Sequence, residues 1–309
     1  MKRNMAQIDI AGLADFDDGE SQVPVRKIGL ARETWKNLKK NRLALVGLGL
    51  IILITFAVVF ADFIAPYGID DQDLLARFQS PSKEHLFGTD NFGRDIFSRV
   101  LYGGRVSLAI GLFSAVFSMF VGILLGSIAG FYAGRFDSVI MRFIDVMMAI
   151  PSMLLAISIV AALGPGITNV VIAVGIGMIP GYARIVRASI FSVKEQEYVE
   201  AARSIGANDL RIIARHILPN CLAPIIVNMT MSVARSILEA ASLSFIGLGV
   251  QPPSPEWGAM LSAARPYIRD YWHVITFPGL AIMAIIFGLN LLGDGLRDAL
   301  DPQIGRAHV

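Results

Sequence analysis

Few residues of this 309-residue chain are placed to make or break bonds. The four histidines, His85, His216, His273 and His308, are scattered and show no ligand spacing. Cys221 is the only cysteine, so a metal site would have to be built without thiolates. The serines and aspartates form no nucleophile–base arrangement. No G-x-x-x-x-G-K-[ST] phosphate loop occurs, so the chain has no P-loop with which to hydrolyse ATP. No catalytic residue and no metal ligand is therefore assigned. The charges that stand out are two pairs in apolar surroundings, Arg142 with Asp145 and Arg235 with Glu239. At spacings of three and four residues the members of a pair can face each other on a helix. Charge within an apolar span is costly and turns toward a partner or a cavity. Each pair thus reads either as a lining for the path of a polar solute or as a lock between helices.

The elements that must carry these residues are membrane helices. Hydrophobic residues make up 54% of the chain, charged residues only 17%, and the mean hydropathy is +0.59. A soluble domain of this size would hold more charge. The apolar runs reach the roughly 20 residues that a bilayer-crossing helix needs. The chain reads as an all-α membrane protein with six transmembrane helices, near 43–65, 106–133, 139–163, 167–183, 221–238 and 274–292. Around them lie a polar arm, 1–42, an outer loop, 66–104, a charged loop, 184–219, and a tail, 294–309. No signal peptide precedes the first span, which reads as retained. Within the arm, Gly29–Arg42 is expected to be an amphipathic helix at the membrane surface, with Leu30, Trp35 and Leu38 facing lipid.

Six spans put both termini on one side. With the N-terminus inside, the inner segments carry 19 of the 27 Lys and Arg residues and the outer loops 6. The positive-inside bias makes both termini cytoplasmic, together with loop 184–219.

That loop holds the most informative residues. Lys194–Ile205 has helical periodicity, with Val199, Ala202 and Ile205 as its apolar positions, and Gly206 interrupts it. Asn208 or Asp209 suits the N-terminus of a second helix, which is expected to present Leu210, Ile213 and Ile217 on one side and to close at Pro219. Periodicity leaves two roles open, a surface that buries itself in a partner's groove or a connector lying on lipid.

Glu200-Ala201-Ala202, three residues, Gly206, and a run ending in Leu218-Pro219 closely resemble the EAA loop of ABC importer permeases. The resemblance implies a coupling element, carried by Glu200, Ala201, Ala202, Gly206, Asp209, Leu210, Leu218 and Pro219, that docks into a cleft on an ATP-binding subunit. His216 departs from the pattern, which usually has an apolar residue three before the proline, and Ile217 is expected to supply that contact instead. Residues 40–67, His85–Arg105, Ser244–Leu261 and Leu292–Pro302 also look like the second permease of the dipeptide/oligopeptide/nickel branch. The resemblance as a whole covers nearly everything from 30 to 304, and its blocks fall in the family's order.

What the resemblance implies is a type I ABC importer transmembrane fold in a bacterial inner membrane, with 66–104 periplasmic and a five-helix core over 105–293. The function implied is import of di- or oligopeptides by alternating access, with nickel chelates, glutathione or another small solute as the alternative cargo. The implied partners are a homologous permease, two ABC ATPase subunits that bind the ATP and magnesium, a periplasmic or lipid-anchored solute-binding protein and membrane lipid. This chain would hold no cofactor and bind no nucleic acid. A stand-alone secondary transporter would need ion-coupling carboxylates near the midplane and usually inverted repeats. Only Glu239 is a weak candidate for such a carboxylate.

Smaller features carry expectations of their own. Gly122, Gly126 and Gly130 put small residues on one face of the second span, where another helix can approach closely. Pro151, Pro180 and Pro278 are expected to bend spans three, four and six. Met147, Met148 and Met153 read as packing or as a soft pore lining. The outer segment Asp90–Asp95 reads either as a contact for an external protein or as a plug against the other outer loop. Trp257, in the Pro-rich segment that begins at Gln251, is expected to sit at the membrane interface.

Overall fold

A computed structural model describes residues 30–300 of the chain; the arm before residue 30 and the tail beyond 300 lie outside the described residues. The helices are α1 (Leu30–Leu38), α2 (Arg42–Val59), α3 (Ile96–Tyr132), α4 (Gly134–Ala149), α5 (Ser152–Leu163) and α6 (Ile167–Val193). They continue with α7 (Glu197–Ser204), α8 (Leu222–Phe245), α9 (Trp257–Ala264) and α10 (His273–Leu300). Among the described residues, five helical stretches are long and apolar enough to cross a membrane, and α4 with α5 supplies a further span if that pair, bent by 90°, is counted as one.

Helix ends fall where side chains satisfy the backbone. Asp95 caps α3, accepting from the Ser98 amide at 2.8 Å and its hydroxyl at 2.7 Å. α3 therefore starts about three turns before the first apolar residue of its span, inside the segment expected to be outer loop. At the end of α2, the guanidinium of Arg105 donates to the carbonyls of Val58 and Val59, at 3.0 and 2.8 Å, and to Asp62. The first span closes there and resumes as one turn, Ala61–Ile64.

Small residues set the helix spacing. A side chain at Gly122 would meet Tyr182, one at Gly126 the Ala183 carbonyl, and one at Gly130 the Ile190 side chain. The glycine ladder of α3 thus seats α6, the close approach expected from its spacing. On the other flank, Gly47 of α2 faces the Gly288 carbonyl of α10, and Ala44 fills the space beside Gly295. α8 runs between these flanks and packs against α3, α6, α9 and α10.

Two expectations are corrected and the one for the prolines is refined. Leu38 is buried against the end of α10 near Gly295 and does not face lipid; Asn37 and Asn41 reach the same helix end through Ala299 and Asp298. Of the prolines, only Pro151 breaks its span; α6 and α10 continue through Pro180 and Pro278. Trp257 is fully buried, its indole N–H donating to the Val100 carbonyl at 2.9 Å. The cause is the adjacent Glu256, which caps α9 through the amides of Gly258 and Ala259 and accepts from Ser107, drawing the segment onto α3.

The segments before α3 and at the start of α10 also close on each other. His273 contacts the Thr89 carbonyl through Nε2 at 3.2 Å, and His85 meets Asp95 at 3.0 Å. Asp90 accepts from the Phe92 and Arg94 amides and from Arg94 Nε at 2.7 Å. Asp90–Asp95 is thus a compact turn held by its own hydrogen bonds.

Candidate docking loop and interhelical cleft

The segment between α6 and α8 folds as two short helical pieces on a buried base. α7 turns Val199 and Ala202 inward, where they join Val186 and Ile190 of α6, Ile225 of α8, and Ile212, Ile217 and Cys221. Its C-terminus is a left-handed cap. Gly206 has φ +80°, its amide donates to the Arg203 carbonyl at 3.0 Å, and the Ala207 amide donates to Ala202 at 3.1 Å. This pair of bonds closes the helix and turns the chain, at a position where a residue with a Cβ is strained. Asn208 then caps the next turn, accepting from the Arg211 amide at 2.9 Å.

The second piece departs from the expected periodicity. Asp209–Arg211 is α-helical, Ile212–Ile217 is a π-helix, and Leu218–Cys221 tightens to a 3₁₀ turn. The Leu218 amide reaches back five residues, to Ile213. A wider turn lets residues five apart share a face, so Ile212 and Ile217 both point into the base. Leu210, expected on the same side as Ile217, instead points outward. Ile217 is fully buried and therefore offers no contact in place of His216.

The outward face of the loop combines apolar and polar groups. Ile205 is 86% exposed and Leu210 76% exposed, on either side of Gly206. Glu200, Ala201, Asp209 and Pro219 are also exposed, Leu218 is half-buried, and Ala202 belongs to the base. The loop thus presents an apolar ridge flanked by two carboxylates on a packed support.

Of the paired charges, Arg142 and Asp145 are not joined. Asp145 binds Arg184 of α6 at 2.6 Å, and Arg142 is exposed. α4 meets α6 along this face, so a cation on α6 reaches Asp145 where one on its own helix does not. Nearby, Arg187 of α6 holds both oxygens of Asp137. These two ion pairs tie α4 to α6 close to the loop. Sequence spacing pointed to no partner for Asp137, because its cation lies 50 residues away.

Arg235 and Glu239 share a cleft of about 350 Å³ lined by α4, the bend at Pro151, α6 and α8. Met147 and Met148 line it, whereas Met153 packs near the buried residues of α5 and α6. Glu239 Oε1 accepts from Ser152 Oγ at 2.9 Å, and no ion pair links Glu239 to Arg235. Among the described residues, no group of three or more His, Cys, Asp or Glu side chains could hold a metal ion.

Known proteins share this arrangement of sequence and fold. Residues 122–306 match the family described as binding-protein-dependent transport system inner membrane component. Residues 29–81 match the N-terminal TM domain of oligopeptide transport permease C. The di/tripeptide transport system permease protein DppC of Pseudomonas aeruginosa is 48% identical, over 89% of this chain and 93% of that protein. The glutathione transport system permease protein GsiD of Escherichia coli is 50% identical, over 88% of this chain and 90% of that protein. Among solved structures, an inward-facing form of the MetNI methionine ABC transporter aligns with a TM-score of 0.56 at 16% identity, over 67% of this chain and 98% of that chain. An amino acid ABC transporter crystallised with histidines aligns at 0.51 and 16% identity, over 65% of this chain and 94% of that one.

Proposed function

The chain belongs to the family of binding-protein-dependent transport system inner membrane components, and from that premise we propose that it is a permease subunit of an ATP-driven ABC importer for peptide-like small solutes. It spans the inner membrane several times and carries the type I importer transmembrane fold, with both termini and the loop between α6 and α8 on the cytoplasmic side. A homologous permease completes the path, two ABC ATPases supply the free energy, and a solute-binding protein delivers cargo at the opposite face. Relatives named for di/tripeptides and for glutathione are similar to nearly the same degree, and both cargoes are short peptides with charged ends.

The observation that carries this proposal is the docking loop. Its inward residues are locked into the ends of α6 and α8, while Ile205 and Leu210 stand exposed beside Glu200 and Asp209. Exposed apolar residues on a rigid mount suit a groove on a partner. A mount tied to the helices that line the cleft also suits transmission of a two-state motion, since packed elements move as units. Gly206 supplies the turn that sets the ridge.

The test replaces Glu200 with alanine and Gly206 with valine in the assembled transporter. Solute uptake and uptake-linked ATPase activity are expected to be lost in both, with membrane insertion intact. Normal uptake by both variants would remove the docking assignment.

A further inference from the structure

The cleft between the α4–α5 bend and α8 has polar groups whose bonding capacity is not used. Glu239 Oε1 is held by Ser152, but Glu239 Oε2 is shielded from solvent and has no hydrogen-bond partner. Arg235, one turn nearer the docking loop on the same helix, makes no ion pair with any described carboxylate. A shielded carboxylate oxygen without a donor is costly in an apolar interior. A ligand that brings the donor removes that cost when it binds.

The dimensions and chemistry limit what that ligand can be. The volume, about 350 Å³, is of small-solute size. Helical residues four apart have Cβ atoms about 5–6 Å apart. An extended chain advances about 3.3–3.6 Å per residue, so the charged ends of a dipeptide are separated by about 7 Å. The two side chains therefore match a short zwitterion, one sign to each end. Asn228 and Ser232 add uncharged hydrogen-bonding groups, and Met147 and Met148 add soft surface that adapts to differing side chains.

We propose that this cleft is a recognition station for the free ammonium end of a short peptide, with Glu239 taking the ammonium and Arg235 the carboxylate. The proposal rests on the permease function above and adds selection within the membrane to selection by the solute-binding protein. The alternative for Glu239 is a purely mechanical one, in which it pins the bend through Ser152.

The two are separated in proteoliposomes that hold the complete importer with its solute-binding protein, by following labelled dialanine. Ser152→Ala removes the pin and leaves the carboxylate; Glu239→Gln keeps an acceptor for Ser152 and removes the charge. Loss of one charge-assisted hydrogen bond is expected to put Glu239→Gln uptake at least about tenfold below that of Ser152→Ala. A smaller gap overturns the proposal. A second measurement needs no change at Glu239. Asn228→Cys is labelled with a maleimide in the assembled complex, where the native Cys221 is buried. Dialanine is expected to slow labelling and N-acetyl-dialanine to leave it unchanged; slowing by both, or by neither, overturns ammonium recognition. A wild-type importer that takes up no dialanine would instead remove the peptide function on which the proposal rests.

Discussion

Arg187 holds Asp137 through two near-parallel contacts, Nε to Oδ1 at 2.5 Å and Nη2 to Oδ2 at 2.6 Å. The pair joins the first turn of α4 to the last part of α6, beside the packed base of the docking loop. Two donors of one planar group meet two acceptors of another, a geometry that lysine cannot reproduce. Arg187→Lys and Asp137→Asn are each expected to destabilise the fold by about 1.5–3 kcal/mol. The double variant should lose less than the sum, because each single change already breaks the two-pronged contact that both residues make. Thermal unfolding of the four proteins in detergent checks this, and additive losses would show that the two residues do not act together.

The glycine ladder makes a sharper structural prediction. A Cβ at Gly126 would stand 2.6 Å from the Ala183 carbonyl oxygen and 2.8 Å from Val186 Cβ. Neither neighbour can swing away, since one is backbone and the other a branched side chain in a packed interface. Gly126→Ala is expected to push α3 from α6 and destabilise by about 1–3 kcal/mol. Gly49 of α2, with nothing within 4 Å of such an atom, is the control. Gly49→Ala should be neutral or stabilising by up to about 1 kcal/mol, through helix propensity. Melting temperatures of the two variants that do not differ would contradict the close approach.

These features differ in how far sequence exposes them. The ladder was legible because its spacing of four residues marks one helix face. The existence of the spans was legible from apolar length, and the helix Glu197–Ser204 with its end at Gly206 from periodicity. What escaped depends on distant or non-α geometry. Asp145 pairs with Arg184 and Asp137 with Arg187, both across tens of residues, so neighbours in sequence pointed to the wrong partner for Asp145. The outward turn of Leu210 away from Ile217 follows from a π-turn, which a 3.6-residue period cannot anticipate. The 90° break at Pro151 and the unbroken helices at Pro180 and Pro278 carry the same residue type, and only packing separates them. Trp257 was misplaced because the buried cap at Glu256 recruits a serine about 150 residues earlier.

Gly206 tests whether the loop needs a conformation or merely a small residue. Its φ is +80°, and a Cβ built there meets nothing within 4 Å. Any penalty on substitution is therefore backbone strain and not a clash. Left-handed backbone costs an L-residue roughly 1–2 kcal/mol, and asparagine tolerates it best. Gly206→Asn is expected to retain most uptake, Gly206→Ala to lose part of it, and Gly206→Val to lose nearly all, with the three present at equal levels in the membrane. The order is read from uptake rates normalised to protein. Equal loss in all three would place the requirement on size at the partner's surface.

The two faces of the second loop helix should separate docking from folding. Ile217 is fully buried with Ile212 beneath α6 and α8, whereas Leu210 is mostly exposed seven residues earlier in the same helical run. Truncating a buried isoleucine to alanine removes packing and leaves a void, at a cost of about 2–5 kcal/mol. Ile217→Ala is therefore expected to lower the unfolding temperature of the isolated subunit. Leu210→Ser removes a side chain that packs on little else in this chain, so that temperature should hold. Its effect should fall on association. Pull-down of the ATPase subunits through a tagged permease should drop for Leu210→Ser, and uptake with it, and Ile205→Ser should behave alike because it occupies the same ridge across Gly206. If Leu210→Ser and Ile205→Ser bind the ATPases as tightly as the unaltered chain and still transport, the ridge faces lipid or solvent, and the coupling contact lies elsewhere on the loop.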